Sequence, residues 1–267
     1  MGMHDATSCI NCGHAADVPG QKFCPQCGQP TPAHRIDWHF LGHELEHSVL
    51  HMDRGILYSL RQLMLRPGKL LRDYIDGRRG NQVKPLLMIM VMAAVVVLLN
   101  RVALGHGVYD SMTAGTRANG LEPGSVVPVA LAGYIAASQA VMEWINGHFA
   151  AFTLLLLPLE ALVYWRVFRR FSGLNYPEWL VISALLTVQT FVIWTLLTLL
   201  QRWVPMAEIG VVPLSLGYSL WSLIQFFHGR SRWGATWRTL LAFVLFAVLN
   251  QLLVAGVIVG LTLLGSG

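Results

Sequence analysis

The residues best suited to chemistry are the four cysteines of the chain, which all lie near its N-terminus. Cys9 and Cys12 form one C-x-x-C-G turn, and Cys24 and Cys27 form a second. Two such turns predict a zinc ribbon, because together they offer four thiolates to one Zn²⁺ ion and leave no position for water. A site of this kind is structural. In a segment without its own core, metal binding supplies most of the folding free energy.

Two disulfides, an iron site or a redox pair are the alternatives for these cysteines. Disulfides require an oxidising compartment, and residues 1–30 contain no apolar signal segment, so the sequence favours zinc. Residues 1–33 carry one basic residue, Lys22, against Asp5 and Asp17, which is too little positive charge for phosphate contacts. We therefore expect the ribbon to bind a protein partner and no nucleic acid.

A second candidate site is a stripe of histidines at four-residue intervals, namely His39, His43, His47 and His51. His43, Glu44 and His47 spell H-E-x-x-H, which on a helix places two zinc ligands one turn apart beside a general base. A catalytic zinc needs a third ligand, and Asp73 and Asp76 are the nearest acidic candidates downstream. The stripe also falls on the polar side of the predicted helix. The pattern therefore favours a solvated face over a metallopeptidase, a regulatory metal site or a pH sensor.

Glu160 is a third candidate, because it is the only acidic residue well inside an apolar segment. An ionisable group is costly in a membrane, so it faces the interior of a helix bundle or a polar cavity. Pro158, two positions earlier, frees a backbone carbonyl nearby. The pair suits a proton or ion relay, and a carboxyl that joins two helices or reaches the headgroups is the alternative.

Composition indicates which elements must position these residues. Of 267 residues, 54% are hydrophobic and 12% charged, and the mean hydropathy is +0.52. Such a chain cannot cover its surface with polar groups in water, which argues against a soluble enzyme and predicts an all-α polytopic membrane protein. Residues 85–267 form the predicted transmembrane domain, because five apolar segments there are long enough to cross ~30 Å of hydrocarbon. These segments are approximately 85–104, 148–166, 178–200, 209–228 and 237–264.

Residues 34–84, between the ribbon and the first apolar segment, carry an amphipathic helical pattern. These helices are too polar to span a membrane, so we expect them on its cytosolic surface. Arg78, Arg79 and Lys84 would then lie against anionic lipid headgroups. A basic solvated face that only sets topology is the alternative.

The distribution of positive charge predicts the orientation. With five spans and a cytoplasmic N-terminus, 16 Lys and Arg residues lie inside, and only Arg101, Arg117 and Arg202 lie outside. If Ser125–Met142 also crossed, the ratio would fall to 11 to 8. The positive-inside rule therefore predicts five spans and an external C-terminus. An external loop at about 105–147 would then contain Ser125–Met142 as an interfacial or re-entrant segment.

The paired C-x-x-C-G turns and the stretch from Asp53 to Pro85 closely resemble a bacterial domain-of-unknown-function family, number three-six-six-seven in that series. The likeness extends over essentially the whole chain, including LLLLPLEALVYWRVFRR and NYPEW. Its members pair a zinc ribbon with several spans, which implies an inner-membrane protein but no activity. The family commonly has Glu-His where this chain has Glu178-Trp179. The five spans also resemble Yip-family membrane proteins, at the level of the fold alone.

The motifs favour a protein that is not an enzyme. No phosphate loop, dinucleotide fingerprint or nucleophile elbow occurs where its chemistry would require it. We therefore expect an inner-membrane scaffold that docks a partner or senses lipid, with a structural zinc site. A transporter or a lipid- or peptide-handling channel that uses Glu160 is the alternative. A metallopeptidase that uses His43, Glu44 and His47 is a further one.

Overall fold

The computed structural model describes residues 8–15, 22–31, 35–38, 55–80, 82–105, 107, 129–204 and 206–265. Within these ranges the secondary structure is helical, apart from two isolated β-bridges in the cysteine-bearing segment. The helices are α1 (Ile56–Leu65), α2 (Pro67–Ile75), α3 (Pro85–Leu99), α4 (Val129–Gly147), α5 (Phe149–Ser172), α6 (Tyr176–Leu200), α7 (Val211–Phe226) and α8 (Arg232–Gly265). A π-helical turn, Asn100–Leu104, extends α3, and a 3-10 turn, Ala207–Gly210, leads into α7.

Five helical segments are long and apolar enough to cross a membrane, which confirms the prediction of five such segments. They are Pro85–Val102, Phe149–Ser172, Tyr176–Leu200, Ala207–Phe226 and Arg232–Leu264. Helix α4, which contains most of Ser125–Met142, is not among them. Its exposed face carries polar residues, including Gln139 and Glu143.

Local sequence explains where several of these helices begin and end. Helix α2 begins with Pro67, whose ring fixes φ near the helical value. Its missing N–H has no cost, because N–H groups in the first turn of a helix have no acceptor within the helix. Helix α5 ends at Gly173, which adopts the left-handed conformation with φ +70°. Helix α6 begins with a capping box. The Asn175 side chain accepts a hydrogen bond from the Glu178 backbone N–H, and the Glu178 side chain accepts one from the Asn175 backbone N–H.

The five membrane-length helices form a bundle whose two ends have different contacts. At one end, Phe168 near the end of α5 stacks on Phe227 after α7, with ring centroids 5.4 Å apart. Arg238 at the start of α8 lies over the Phe171 ring, 4.6 Å from its centroid. The cysteine-bearing segment packs at this same end, as the contacts below show. The arginines of the two short loops therefore share one end with the ribbon, as the charge distribution predicts, and the side of the membrane stays a prediction.

Helix α4 lies at the opposite end of the bundle. Val141 and Ile145 of α4 pack with Phe152 at the start of α5 and Ile258 in the last third of α8. Gly133 of α4 approaches Thr262 closely enough that a Cβ at Gly133 would lie 3.5 Å from its methyl group. This position is compatible with an interfacial or re-entrant role for 125–142, which stays a prediction, and residues 125–128 lie outside the described ranges.

Helices α1 and α2 form a helical hairpin that packs against the spanning helices. Leu63 and Leu71 are fully buried within the main core. The Tyr218 hydroxyl of α7 donates a hydrogen bond to the Met64 carbonyl, and Gln189 Nε2 of α6 donates to the Leu63 carbonyl at 3.4 Å. Part of the hairpin's apolar surface is therefore covered by protein, whereas Leu57, Tyr58 and Leu65 are exposed, and the position of the hairpin on the membrane surface stays a prediction.

Candidate metal centre and membrane cavity

The four cysteine sulfurs converge on one point. Cys9 Sγ lies 3.7 Å from Cys27 Sγ, and Cys12 Sγ lies 3.6 Å from Cys24 Sγ. All four sulfurs lie within 4.8 Å of one another. A tetrahedral zinc ion with bonds of about 2.3 Å requires sulfurs about 3.8 Å apart. The arrangement can therefore hold one metal ion of this size.

Two equivalent turns bring the cysteines together. In the first turn, Cys9 N donates to His14 O at 2.7 Å and Gly13 N donates to Cys9 O at 2.8 Å. The second turn repeats both bonds, since Cys24 N donates to Gln29 O and Gly28 N donates to Cys24 O. Gly13 and Gly28 adopt φ values of +74° and +71°, which explains why a glycine follows each C-x-x-C pair.

The four thiols cannot all ionise together without a cation. At Cys27, burial opposes ionisation, but hydrogen bonds from the Asn11 side chain and the Gln29 backbone lower the pKa to about 7. At Cys12, the hydrogen bond with the His14 backbone favours the thiolate. Desolvation and the three neighbouring cysteines outweigh it and raise the pKa to about 12. A bound metal cation would remove this conflict by favouring all four thiolates.

The ribbon is tied to the end of α2 by a single buried glutamine. Gln29 is 2% exposed, and its Nε2 donates to the Gly77 carbonyl at 2.9 Å. Its Oε1 accepts the backbone N–H of Arg79, also at 2.9 Å. Gly80 approaches the Asn11 amide so closely that a Cβ there would lie 2.7 Å from Asn11 Nδ2. The metal centre is therefore fixed relative to the helical hairpin.

The segment that follows the ribbon is tied to the turn between α5 and α6. Arg35 forms a bidentate ion pair with Glu178, with Nε–Oε1 at 2.5 Å and Nη2–Oε2 at 2.9 Å. Glu178 is almost fully buried, and Asn175 Nδ2 donates to the Ile36 carbonyl at 2.9 Å. Trp179, the residue after Glu178, is fully buried among aromatic rings.

A cavity of about 520 Å³ lies between α5, α6, α7 and α8. Glu160 lines it, and Glu160 Oε2 lies 3.2 Å from the Thr187 hydroxyl of α6. Thr187 Oγ1 also lies 2.9 Å from the Ser183 carbonyl, so its single hydrogen cannot serve both oxygens. Glu160 therefore faces a cavity inside the bundle, and its role in a relay or in joining two helices stays a prediction.

The rest of the cavity wall is apolar, with a few polar atoms that lack partners. Ser215 Oγ and Asn250 Oδ1 are buried and have no hydrogen-bond partner. A buried polar atom without a partner costs about 1–3 kcal/mol. Glu208 lines the cavity near the turn between α6 and α7, and no Lys or Arg is among its described lining residues. The cavity therefore favours an apolar ligand with a neutral or cationic polar group.

An aromatic cluster closes the cavity on the side of the ribbon. Tyr164 lines the cavity and stacks on Trp179, with ring centroids 5.8 Å apart. Phe168 contacts both Trp179 and Phe227, at 4.9 and 5.4 Å between centroids. Phe168 and Trp179 are fully buried. In this conformation the cavity extends from Glu160 toward the α6–α7 turn and not toward the ribbon.

Other predicted site residues have different surroundings. Arg78 forms ion pairs with Asp73 and Asp76, and Arg79 Nε donates to the Tyr74 carbonyl at 2.8 Å. Contact of Arg78, Arg79 and Lys84 with lipid headgroups stays a prediction. The histidine stripe with Glu44 lies outside the described residues. Sequence reasoning missed the roles of Gln29 and Ser215, because neither residue belongs to a motif that marks it as functional.

The fold and sites define an all-helical protein with five membrane-length helices and a four-cysteine site that could hold a metal ion. Residues 53–97 match the family described as "Protein of unknown function (DUF3667)". The match confirms the family resemblance and spans the α1–α2 hairpin and most of α3. The Yip-family likeness is not shown. No curated protein and no solved structure matched the chain.

Proposed function

We propose that this chain is a lipid-binding scaffold of the bacterial inner membrane. Its bundle binds an amphiphile in the Glu160 cavity, and a zinc-stabilised ribbon on the cytoplasmic side docks a protein partner. The observation that carries the proposal is the cavity itself. It combines about 520 Å³ of space, a mostly apolar wall and partnerless polar atoms on Ser215 and Asn250.

The chemistry of the cavity favours a particular headgroup. Glu160 and Glu208 are the ionisable carboxyls that line it, alongside the phenol of Tyr164. An anionic headgroup would meet these carboxyls without a compensating cation, whereas an ammonium or hydroxyl group would donate to Glu160, Ser215 or Asn250. The acyl chain would lie against aromatic side chains such as Phe243 and Phe246. The ligand class is therefore an amphiphile with a neutral or cationic head.

The aromatic cluster separates this proposal from the transporter alternative. A substrate that crosses the bundle would have to pass Trp179 and Phe168, which are fully buried in the described conformation. A binding cavity open toward one end needs no such passage. Transport through Glu160 therefore requires a second conformation, and lipid binding does not.

The ribbon serves as a structural element in this proposal. Four thiolates around a tetrahedral zinc leave no coordination site for a reactant, so the metal would stabilise the fold and not catalyse. Gln29 and Arg35 connect the ribbon and its following segment to α2 and α6. A partner docked on the ribbon would thus be coupled mechanically to the helices that line the cavity.

Native mass spectrometry of the full chain in uncharged detergent tests ligand binding. The probes are oleylamine, monoolein and oleic acid, which share one chain and differ in headgroup charge. We expect oleylamine and monoolein to bind at least roughly tenfold more tightly than oleic acid, since each tenfold step is about 1.4 kcal/mol. We also expect oleylamine to bind more tightly than monoolein, because only its ammonium group complements the Glu160 carboxyl in charge, and Glu160→Gln should remove that difference.

The matched control is Glu143→Gln, which removes a carboxyl from the exposed surface of α4. This variant should retain the wild-type preference. Equal binding of all three probes, or the same loss in both variants, would contradict the assignment of the headgroup to Glu160.

A further inference from the structure

A second cavity lies on the ribbon side of the bundle, separate from the Glu160 cavity. It has a volume of about 330 Å³ and is enclosed by the ribbon, both helices of the hairpin and the segment before α3. Among the described residues, the charged ones that line it are Arg66, Lys69, Arg78 and Asp73. Three cations thus face one carboxylate, and this is the opposite charge balance from that of the Glu160 cavity.

One of these cations is already neutralised. Arg78 Nη2 pairs with Asp73 Oδ1 at 2.9 Å and with Asp76 Oδ2 at 3.2 Å. For the side chains of Arg66 and Lys69, the described part of the chain provides no ion-pair partner. The described side chains that line the cavity therefore carry a net positive charge, which comes from Arg66 and Lys69.

Two polar atoms in the wall also lack partners. Arg78 Nε and Gln82 Oε1 are buried and form no hydrogen bond, although other atoms of Arg78 are paired. Rotation of the Gln82 amide by half a turn would present its NH₂ group in place of the oxygen. The cavity can then offer donors from Arg66, Lys69, Arg78 and Gln82 to one anion.

We propose that this cavity binds a phosphate group. A phosphate offers several acceptor oxygens around a compact anion, which matches the planar fork of Arg66, the unpartnered Nε of Arg78 and the point charge of Lys69. A volume near 330 Å³ accommodates a phosphate together with part of the molecule that carries it. The phosphate can belong to a phospholipid headgroup or to a water-soluble phosphate compound, and the chemistry of recognition is shared.

The site lies where the ribbon meets the helical hairpin. Asn11 of the ribbon, Gln62 of α1 and Gln82 before α3 all line the cavity. A phosphate bound there would lie between the ribbon, α1 and the segment before α3. Binding should therefore stabilise the association between the ribbon and the helical hairpin.

The test uses the full-length protein, stripped of lipid, in uncharged detergent, with thermal unfolding followed as ligand is added. One arm adds inorganic phosphate or pyrophosphate. The other arm adds phosphatidic acid to the detergent micelles, with the phosphate-free lipid diacylglycerol as its control. We expect stabilisation in at least one arm. Stabilisation by inorganic phosphate indicates a soluble source, whereas stabilisation by phosphatidic acid alone indicates a lipid headgroup.

Variants locate the effect. Arg66→Gln and Lys69→Gln should each weaken the apparent affinity roughly tenfold, because each removes one charge-assisted contact. Arg61→Gln is the matched control, since Arg61 is an exposed basic residue of α1 that does not line the cavity. It should leave the affinity unchanged, as should Glu160→Gln, which separates this site from the proposed lipid cavity.

Two results would overturn the proposal. One is the absence of stabilisation by every phosphate source. The other is an equal loss of affinity in Arg61→Gln and Lys69→Gln, which would indicate a general effect of surface charge. Retention of binding in Lys69→Arg, together with an unchanged metal content, would show that Lys69→Gln acts through the lost cation contact and not through misfolding.

Discussion

Gly68→Ala tests the packing of the helical hairpin on the bundle most directly. Gly68 is in the second position of α2, where it faces the C-terminal end of α7. A Cβ at this position would lie 2.3 Å from Gln225 Cβ, 2.6 Å from Gln225 C and 2.7 Å from Phe226 N. Two of these three atoms belong to the backbone, so rotation of a side chain cannot relieve the overlap.

The size of the effect follows from these distances. Ordinary carbon contacts begin near 3.5 Å, so α2 and α7 would have to separate by about 1 Å. Overpacking of this kind costs about 1–3 kcal/mol. The separation would also stretch the hydrogen bond from Arg72 Nη1 to the Gln225 carbonyl, now 2.5 Å long, which contributes about 1.5–3 kcal/mol when one partner is charged. We therefore expect Gly68→Ala to lower the free energy of unfolding by roughly 3 kcal/mol or more.

The assay is equilibrium unfolding of the full chain in mixed micelles, with Gly217→Ala as the control. Gly217 lies within α7, and a Cβ there meets nothing within 4 Å. Alanine at this position should be neutral or slightly stabilising, since glycine costs about 1 kcal/mol in a helix interior. If Gly68→Ala unfolds at the same denaturant concentration as Gly217→Ala, the close approach of α2 and α7 is refuted.

Three further predictions concern the other contacts. The purified chain should carry one equivalent of zinc, and Cys24→Ser should lose it; a content well below one equivalent by mass spectrometry would contradict the four-thiolate site. Arg35→Ala and Glu178→Ala should each destabilise the protein, and a double-mutant cycle should give a coupling of about 1–3 kcal/mol, whereas additive effects would argue against the pair. Gln189→Leu should cost about 1–2 kcal/mol in chemical unfolding, because it removes the Gln189 hydrogen bond to the Leu63 carbonyl, while the Ser222 hydroxyl keeps the Tyr218 carbonyl as its acceptor; an unchanged midpoint would argue against a role for that bond.

Much of the architecture was predictable because it depends on local patterns. Continuous apolar runs identify the five spanning helices, since length and composition alone decide whether a helix can cross a bilayer. The boundaries were less accurate. Helix α8 begins at Arg232 and not near residue 237, because the Ser231 hydroxyl accepts the Gly234 N–H and caps a polar first turn that an apolar run does not reveal.

The candidate sites were predictable to different degrees. The cysteines were identifiable from spacing, and Glu160 from its isolation in an apolar segment. The cavity around Glu160 was not, because Ser215 and Asn250 come from helices that are distant in sequence. The burial of part of the hairpin's apolar surface was also not apparent, since an amphipathic pattern is the same whether lipid or protein covers it.

The sequence by itself determined the class of protein, the candidate metal ligands and the segregation of positive charge, because each depends on residue type and on short spacings. The tertiary structure alone decided that Gln29 and Arg35 attach the ribbon segment to α2 and α6. It also decided that a cavity lined by basic residues lies between the ribbon and the hairpin, and that a cavity lined by two carboxyls lies between the membrane-length helices. The physical reason is that a cavity, or a contact between distant segments, depends on which side chains lie close together in the folded chain. Only the packing of the helices specifies that.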